Sequence, residues 1–142
     1  MALSLEDAQA VLAAQPFSRL LGTRVVEFAD GAAELRLAVR DELRQQFGFV
    51  HGGVLAYLVD NTVTFAAGTV LGPAVLTGGF TINHLSPAQG EELRARSSVV
   101  HATRRQAVCR CDVFAVADDG EETLCATGQG TVITRSGDVP AS

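Results

Sequence analysis

Apolar and polar residues follow two different periods along this chain of 142 residues, and the change of period separates helices from strands. The longest apolar stretch, residues 52–68, carries apolar side chains on nearly every side of a helix, which predicts a buried helix. Residues 40–51 before it lack a regular period and predict a loop. After Gly72-Pro73 the residues alternate or are β-branched, which predicts four strands at 75–86, 92–103, 106–117 and 122–134.

The first third of the chain predicts one short helix and a hairpin. Ser4 with an acid three residues later is typical of a capped helix start, so we expect a helix over residues 5–14 that ends near Pro16. Two strand-like segments follow, joined by an Asp-Gly dipeptide that favours a hairpin turn, at residues 23–29 and 32–39.

This order of elements predicts an α+β fold: a curved antiparallel sheet of about six strands wrapped around one long central helix. The length fits a single domain over residues 1–142, with residues 135–142 as a short frayed tail. One sheet and one helix leave a sheet edge and the surface beside the helix uncovered. We therefore expect a partner subunit.

Charge and composition exclude several classes of protein. The formal net charge is −5, which argues against a nucleic-acid partner. All 11 basic residues are arginine, so neither a lysine Schiff base nor a P-loop lysine is present. Polar residues, glycines and a proline interrupt the apolar stretch 54–76, and the N-terminus lacks a basic segment. The sequence therefore predicts neither a membrane span nor a secretory signal.

The three cysteines are Cys109, Cys111 and Cys125. An odd count without a predicted signal peptide favours a reducing compartment, and we expect a cytoplasmic protein. Cys109 and Cys111 lie two residues apart, on one face of a predicted strand. Without a second ligand pair this spacing is a weak metal signal, so we expect buried thiols and no metal site.

The segment HGGVLAYLVD, residues 51–60, carries the chemistry that the sequence can show. A helix that begins at Gly52 offers free backbone N–H groups at its positive end, which suits a developing oxyanion. Asp60 is the single acid on this apolar helix, and a buried charge is costly without a partner or a function. Two alternatives remain open: Asp60 pairs with an arginine, or the two glycines serve only close helix packing.

Helix geometry separates Gly52 from Asp60. The two residues are eight positions apart, which corresponds to about 12 Å along one helix axis. Reacting atoms must lie within about 3–3.5 Å of each other, so one reacting group of a substrate cannot contact both residues of the same helix. Two antiparallel copies of the helix would bring Gly52 of one subunit close to Asp60 of the other, twice by symmetry. The sequence thus predicts a homodimer with two shared sites.

Three segments give the chain a resemblance to a known family: HGGVLAYLVD, TGGFTINHLSPA (77–88) and ATGQGTVIT (126–134). They resemble the hot-dog-fold acyl-CoA thioesterases, above all the phenylacetate-pathway (PaaI-like) branch. The similarity runs from about Phe17 to Thr134. It implies a homodimer or a dimer of dimers that hydrolyses a coenzyme A thioester without a metal or an organic cofactor.

The resemblance also implies roles for individual residues. Gly52 would polarise the thioester carbonyl with its backbone N–H, and Asp60 would act as nucleophile or as general base for water. Gln45 stands seven residues before Gly52, where the family often has asparagine or glutamine near the carbonyl. Thr77 lies where the family carries a hydroxyl that holds the attacking water. Thr64, one helical turn after Asp60, is a competing hydroxyl, and the sequence does not decide between the two.

Further residues are expected to line or hold the substrate: His51, Gly53, Phe47, Phe49, Arg104 and Arg105. His51 has a structural or substrate-lining role in this interpretation, and the two phenylalanines form either the acyl pocket or core. The arginine pair either binds the coenzyme A phosphates or forms a solvated turn. His84 and His101 receive no role.

Three functions remain as hypotheses. The first is a thioesterase acting on an aryl- or medium-chain acyl-CoA. The second is a non-catalytic acyl-CoA-binding module, which would need the pocket but not Asp60. The third, hydration or dehydration of an acyl thioester, would require a histidine paired with a carboxylate. It is weaker because His51 and Asp60 are nine residues apart and do not share a helix face.

Overall fold

The computed structural model describes residues 2–135, and most of the predicted tail therefore lies outside the described residues. Six antiparallel strands form one sheet in the order β1-β2-β4-β5-β6-β3. The elements in chain order are α1 (Leu5–Ala13), α2 (Pro16–Leu21), β1 (Arg24–Ala29), β2 (Ala32–Ala38), α3 (Gly52–Leu71), β3 (Val75–His84), β4 (Glu92–Ala102), β5 (Gln106–Val116) and β6 (Glu122–Thr134). The predicted α+β class and the six strands are confirmed.

Helix α3 lies against one face of the sheet and is buried there, as its apolar sequence predicts. Leu58, Val59 and Val63 of α3 are fully inaccessible to solvent, and Leu93 of β4 and Val113 of β5 belong to the same buried core. Each such side chain contributes about 1.5–3 kcal/mol through burial. By length and composition alone α3 would qualify as a membrane span, but its burial in the fold accounts for its apolar character.

Two glycines of β6 allow α3 to approach the sheet closely. A Cβ atom at Gly128 would lie 2.7 Å from Cγ1 of Val59, and one at Gly130 would lie 3.1 Å from Cγ2 of Val63. A side chain at Gly128 would also collide with the carbonyl oxygen of Thr81 on β3, at 2.6 Å. Glycine at these two positions of β6 therefore allows close packing of β6 against both α3 and β3.

The N-terminal segment contains one helix more than predicted. Helix α1 begins as expected, with a capping box between Ser4 and Asp7. The expectation that Pro16 only ends a helix is wrong, because Pro16 is also the first residue of α2. Proline is favoured at that position, where its missing N–H has no intrahelical acceptor. The corner between α1 and α2 lies over α3, and Gln15 is the N-cap residue there.

The remaining differences from the sequence predictions are small. Helix α3 continues three residues beyond its predicted end, to Leu71. The loop over residues 40–51 contains one 3-10 turn, Asp41–Leu43. The predicted β1–β2 hairpin turn is present, with Asp30 at φ 53° and Gly31 at φ 81°, a left-handed backbone that the Asp-Gly pair tolerates.

The sheet face opposite α3 carries an ion-pair network. Glu122 accepts hydrogen bonds from Arg94 and Arg96, and Glu34 accepts from Arg96 and Arg36, at 2.6–2.9 Å. Hydrogen bonds from Arg96, then Arg94, lower the pKa of the Glu122 carboxyl to about 2. The pKa of Glu34 is also lowered, since the same kind of arginine bonds outweigh its burial. These carboxylates are fully paired.

Candidate active site

Asp60 lies in the middle of α3, half-buried, and its carboxylate has one described protein donor. Thr77 Oγ1 of β3 donates to Asp60 Oδ1 at 2.6 Å. Within residues 2–135 no arginine forms an ion pair with Asp60. The alternative of a structural carboxylate paired with an arginine is therefore not what the structure shows. A single neutral hydroxyl leaves most of the acceptor capacity of Asp60 for water or substrate.

The two candidate hydroxyls have different partners. Thr77 bonds to Asp60 from β3, next to the point where the β3–β6 register shifts between Thr77 and Gly79. Thr64 is on the helix of Asp60, but its Oγ1 donates to the backbone oxygen of Asn61 at 2.6 Å. Threonine in a helix commonly bonds back to the preceding turn in this way. Geometry thus places Thr77, and not Thr64, in hydrogen-bond contact with the acid.

A cavity of about 360 Å³ opens beside Asp60. Its walls come from α1, α2, α3, β1 and the start of β3, and both Thr64 and Thr77 line it. Four aromatic side chains contribute to the walls: Phe17, Phe28, Tyr57 and Phe65. Most of the lining is apolar, which suits the acyl part of a thioester.

The phenylalanines singled out in the sequence lie elsewhere in the protomer. Phe47 is 74% exposed in the loop before α3, and Phe49 is half-buried in the same loop. Neither lines the cavity beside Asp60. Spacing along the chain placed them near the helix mouth, whereas the aromatic walls come from elements that are distant in sequence.

At the start of α3, one backbone N–H group is free for a ligand. His51 is the N-cap residue, and its Nδ1 accepts from the N–H of Gly53 at 2.8 Å. The N–H of Val54 donates to the carbonyl of His51. Among the described residues, the N–H of Gly52 has no such acceptor. It points out of the positive end of the helix, as an oxyanion donor must.

The hydrogen bond of His51 limits its chemistry. Because Nδ1 accepts a hydrogen bond from the N–H of Gly53, the neutral imidazole carries its proton on Nε2. His51 therefore caps the start of the helix, and its Nδ1 is not free to accept a proton during the reaction. Gly53 donates to His51, so its N–H is not available to a substrate.

His84, which received no role from the sequence, lies against Gly52. A Cβ atom added to Gly52 would lie 3.3 Å from Cε1 of the His84 ring. The contact joins the end of β3 to the start of α3, 32 residues apart in sequence. No periodicity or motif within the chain points to it. His84 is exposed and forms one side of the helix mouth.

The other predicted site residues, Gln45 near the carbonyl and the arginine pair for the coenzyme A phosphates, lie in loops. Gln45 turns its side-chain oxygen towards its own loop, where Oε1 accepts from the N–H of Phe49 at 3.3 Å and from that of Phe47. Arg104 and Arg105 are exposed in the turn between β4 and β5. The geometry of the protomer does not bring these residues to Asp60.

The cysteines are buried and unpaired. Burial raises the pKa of Cys109 and of Cys125 to about 11, and that of Cys111 to about 12. Thiols of this kind remain protonated and are poor nucleophiles. In the part of the chain from residue 2 to residue 135, no group of three or more His, Cys, Asp or Glu side chains is placed to bind a metal ion.

Comparison with known proteins identifies the family. A profile of the thioesterase superfamily matches residues 47–122, from the loop before α3 to the start of β6. The 1,4-dihydroxy-2-naphthoyl-CoA hydrolase of Listeria monocytogenes is 27% identical over 107 residues, which cover 74% of this chain and 85% of that protein.

Solved structures agree in fold. A thioesterase family protein from Silicibacter pomeroyi is 32% identical with a TM-score of 0.85, covering 94% of this chain and 96% of that chain. A mutant of the phenylacetic acid degradation protein PaaI from Thermus thermophilus is 30% identical with a TM-score of 0.75, covering 85% of this chain and all of that chain (100%).

The sheet wrapped around α3 is thus the hot-dog fold, and the chain belongs to the thioesterase superfamily. The resemblance found in the sequence is confirmed. The protein is a thioester hydrolase. In the described part of the chain, a carboxylate without an ion-pair partner beside an apolar cavity and an N–H without an acceptor at a helix start are consistent with this activity.

Proposed function

We propose that this protein hydrolyses an aryl- or medium-chain acyl-CoA to the free acid and coenzyme A, with Asp60 as the catalytic carboxylate. The observation that carries the proposal is the position of Asp60. It lies in the wall of an apolar cavity, bonded by Thr77 and left without an ion-pair partner in the described chain. A cavity of about 150 Å³ already accepts benzene, and this one measures about 360 Å³.

In the proposed reaction, the carbonyl oxygen of the thioester is bound at Gly52 and the attack on its carbon takes place at Asp60. The N–H of Gly52 donates to the thioester oxygen as negative charge develops there, and Gln45 approaches the same carbonyl from its loop. Asp60 either takes a proton from the attacking water or attacks the carbonyl carbon itself. Thr77 holds the Asp60 carboxylate in position. A thioester is already activated, so this reaction needs no metal or organic cofactor.

The proposed site is shared between two protomers. Gly52 and Asp60 lie about 12 Å apart along the axis of the same helix. In this proposal, one substrate therefore contacts Gly52 of one subunit and Asp60 of the other. Strand β3 is an edge of the sheet, and Leu76 and Phe80 on it are 55% and 37% exposed. Edge strands with exposed apolar side chains favour pairing with another chain. A dimer of dimers would repeat this unit.

Two further assignments complete the proposal. Arg104 and Arg105 are exposed and free to approach the phosphates of coenzyme A, where an arginine guanidinium binds well. The three free, buried cysteines fit a reducing compartment, and we place the protein in the cytoplasm.

A substrate screen tests the proposed function. Release of free coenzyme A thiol is measured for aromatic and straight-chain acyl-CoAs, with the wild type and with Asp60→Asn. We expect turnover by the wild type that the variant loses while it remains folded. Binding of the acyl-CoAs without turnover by the wild type would instead support the acyl-CoA-binding module. Single turnover in ¹⁸O-water tests for attack by the carboxylate. Attack by Asp60 forms an anhydride and releases the coenzyme A thiolate, and opening of that anhydride by water at the Asp60 carbon leaves unlabelled enzyme oxygen in the acid product and ¹⁸O in Asp60. Direct attack by water leaves ¹⁸O in the product and none in Asp60.

A further inference from the structure

The open side of Gly52 is occupied by His84, a side chain that the proposed hydrolysis does not use. Apart from chain neighbours and the adjoining helix backbone, the three atoms nearest to a Cβ position on Gly52 all belong to the His84 ring. They are Cε1 at 3.3 Å, Nε2 at 3.6 Å and Nδ1 at 3.9 Å. The ring therefore turns its Cε1 edge, with a nitrogen on either side, towards the first residue of α3.

The register of the sheet places His84 on the face that packs against α3. His84 pairs with Ala126 of β6, which is fully buried. Ile82 pairs with Gly128, whose Cβ position lies 2.7 Å from Val59 of α3. Alternate residues of a strand share one face, so His84 and Ile82 both point to the helix side of the sheet. A regular strand, and not a loop, thus sets the position of the ring.

Both ring nitrogens of His84 are available to a ligand. Among residues 2–135 neither nitrogen has a hydrogen-bond partner, and the side chain is exposed. His51 differs, because its Nδ1 accepts the N–H of Gly53 at 2.8 Å. Either nitrogen of a neutral imidazole can carry the proton, so the His84 ring can donate from the nitrogen that faces an acceptor.

A single oxygen atom can reach both the N–H of Gly52 and the ring of His84. By standard geometry the Gly52 nitrogen lies about 2.5 Å from the Cβ position, which puts Nε2 of His84 within about 6 Å of that nitrogen. An acceptor at about 2.9 Å from each of two donors can join donors up to about 6 Å apart. The Cα–Cβ bond of a helical residue tilts towards the helix N-terminus, where the first N–H groups also point. Both donors therefore lie at the same end of α3.

The carbonyl oxygen of a thioester is the atom that needs such a donor. When water or a carboxylate adds to the carbonyl carbon, negative charge collects on this oxygen. The departing sulfur needs less help, because a thiol with a pKa of about 8.5 leaves readily as the thiolate. An imidazole N–H stabilises the oxygen without giving up its proton.

We propose that His84 is a further catalytic residue, whose ring N–H donates an additional hydrogen bond to the thioester oxygen bound at Gly52. The inference rests on the proposed function and deepens it, because it adds a side-chain donor beside the backbone donor of the same subunit. Asp60 still supplies the attack, and no covalent bond to His84 is made or broken.

Two variants of similar side-chain length test the inference by steady-state kinetics on an acyl-CoA that the wild type hydrolyses. His84→Met removes the donor, whereas His84→Gln keeps an N–H group. We expect kcat to fall by about 10- to 100-fold in His84→Met, the value of one hydrogen bond to a developing charge. His84→Gln should lie between His84→Met and the wild type. KM should change little, since the bond strengthens mainly in the transition state.

His101→Met is the matched control. His101 is exposed on β4, and β5 and β6 separate that strand from β3 in the sheet. The control variant should keep the kcat of the wild type. Thermal unfolding of the three variants shows whether each remains folded. If His84→Met unfolds early, His84→Ala, which only leaves space at an exposed position, replaces it.

A substrate analogue that cannot be hydrolysed tests the hydrogen bond without turnover. In this acyl-CoA analogue a CH₂ group replaces the sulfur, so a ¹³C-labelled ketone takes the place of the thioester carbonyl. A hydrogen bond to a carbonyl oxygen lowers its stretching frequency. Isotope-edited infrared spectra should therefore show a higher frequency for the analogue bound to His84→Met than for the analogue bound to the wild type.

Three results would overturn the inference. One is a wild-type kcat in His84→Met, and another is a loss confined to KM, which would place the ring on the coenzyme A part of the substrate. The third is an equal carbonyl frequency in the wild type and His84→Met. A wild type that binds the analogue but hydrolyses no acyl-CoA overturns the proposed function instead.

Discussion

Asp60 and Glu122 are carboxylates on opposite sides of the same sheet, and their surroundings differ. Glu122 receives hydrogen bonds from two arginines, which lower its pKa to about 2. Asp60 receives one hydrogen bond from the described residues, that of the neutral Thr77, and faces a cavity. The paired carboxylate has little capacity left for a ligand, whereas the unpaired one is available for chemistry.

This difference predicts that the two sides respond separately to mutation. Changes around Asp60 should reduce turnover with little effect on folding. Changes in the ion-pair network should alter the response of the fold to acid and leave turnover intact.

The largest effect is expected for Asp60→Asn. Asparagine keeps an oxygen that can accept from Thr77, so the local geometry persists while the charge and the basic group are lost. We expect kcat to fall by about 10²- to 10⁴-fold, the usual contribution of a general base. Thermal unfolding should occur at the same temperature or slightly higher, since a half-buried charge without an ion-pair partner is removed. A variant that unfolds much earlier would place Asp60 with the structural carboxylates.

The next largest effect is expected for Gly52→Pro, which removes one N–H at the helix start. Gly52 is the first helical residue, a position where proline is tolerated. His51 before it has φ −60° and ψ 136°, which also suits a following proline. Loss of one oxyanion donor should lower kcat by about 10²- to 10³-fold.

Gly52→Ala is the matched control for the proline variant. It keeps the N–H and adds a Cβ that meets the exposed ring of His84 at 3.3 Å. Kinetics and circular dichroism of both variants separate the loss of the N–H from crowding at the helix mouth. Equal losses in the two variants would mean that space, and not the N–H, is what Gly52 provides.

A smaller effect is expected for Thr77→Val, compared with Thr64→Val. Removing the Thr77 hydroxyl takes away the hydrogen bond to Asp60, and we expect kcat/KM to fall about tenfold. The Thr64 hydroxyl bonds to its own helix, so its loss should change kcat/KM by less than about twofold. Steady-state kinetics on one substrate decides between them. The opposite order would assign the assisting hydroxyl to Thr64.

The smallest effect on turnover is expected for Glu122→Gln, which should leave it unchanged at neutral pH. The folded pKa of Glu122, about 2, lies below its ordinary value of 4.5. Its contribution to stability is therefore complete above pH 4.5 and is lost as the pH falls towards about 2. Denaturant unfolding between pH 5 and pH 2.5 should show a shallower acid loss in the variant than in the wild type. Parallel curves would mean that the network does not stabilise the fold.

Most of the fold could be predicted from the sequence because period and turn residues are local properties. Residues 52–68 are apolar on nearly all sides, and the strand residues alternate. The sequence therefore predicts the bounds of α3 and of the strands to within a few residues. Helix α2 does not follow from the sequence in the same way, because a proline after a helical segment is typical of a helix end, and α2 begins at Pro16. A proline after a helix is equally suited to begin the next one.

The site was predictable only as far as its residues lie in one segment. Gly52 and Asp60 follow from HGGVLAYLVD, since both belong to α3. Their neighbours come from elsewhere in the chain: Thr77, which bonds to Asp60, and His84, which lies against Gly52, both belong to β3. Contacts between distant segments depend on how the sheet curves around the helix, and no spacing within the chain encodes that directly.

Complementation between two inactive variants tests the shared site most directly. Gly52→Pro and Asp60→Asn chains are co-expressed with different tags, and the mixed dimers are assayed. If each site takes Gly52 from one protomer and Asp60 from its partner, every mixed dimer has one intact site. Activity should then return to about half that of the wild type in purified mixed dimers. No recovery in mixed dimers, or a monomeric wild type that turns over substrate, would contradict the shared site.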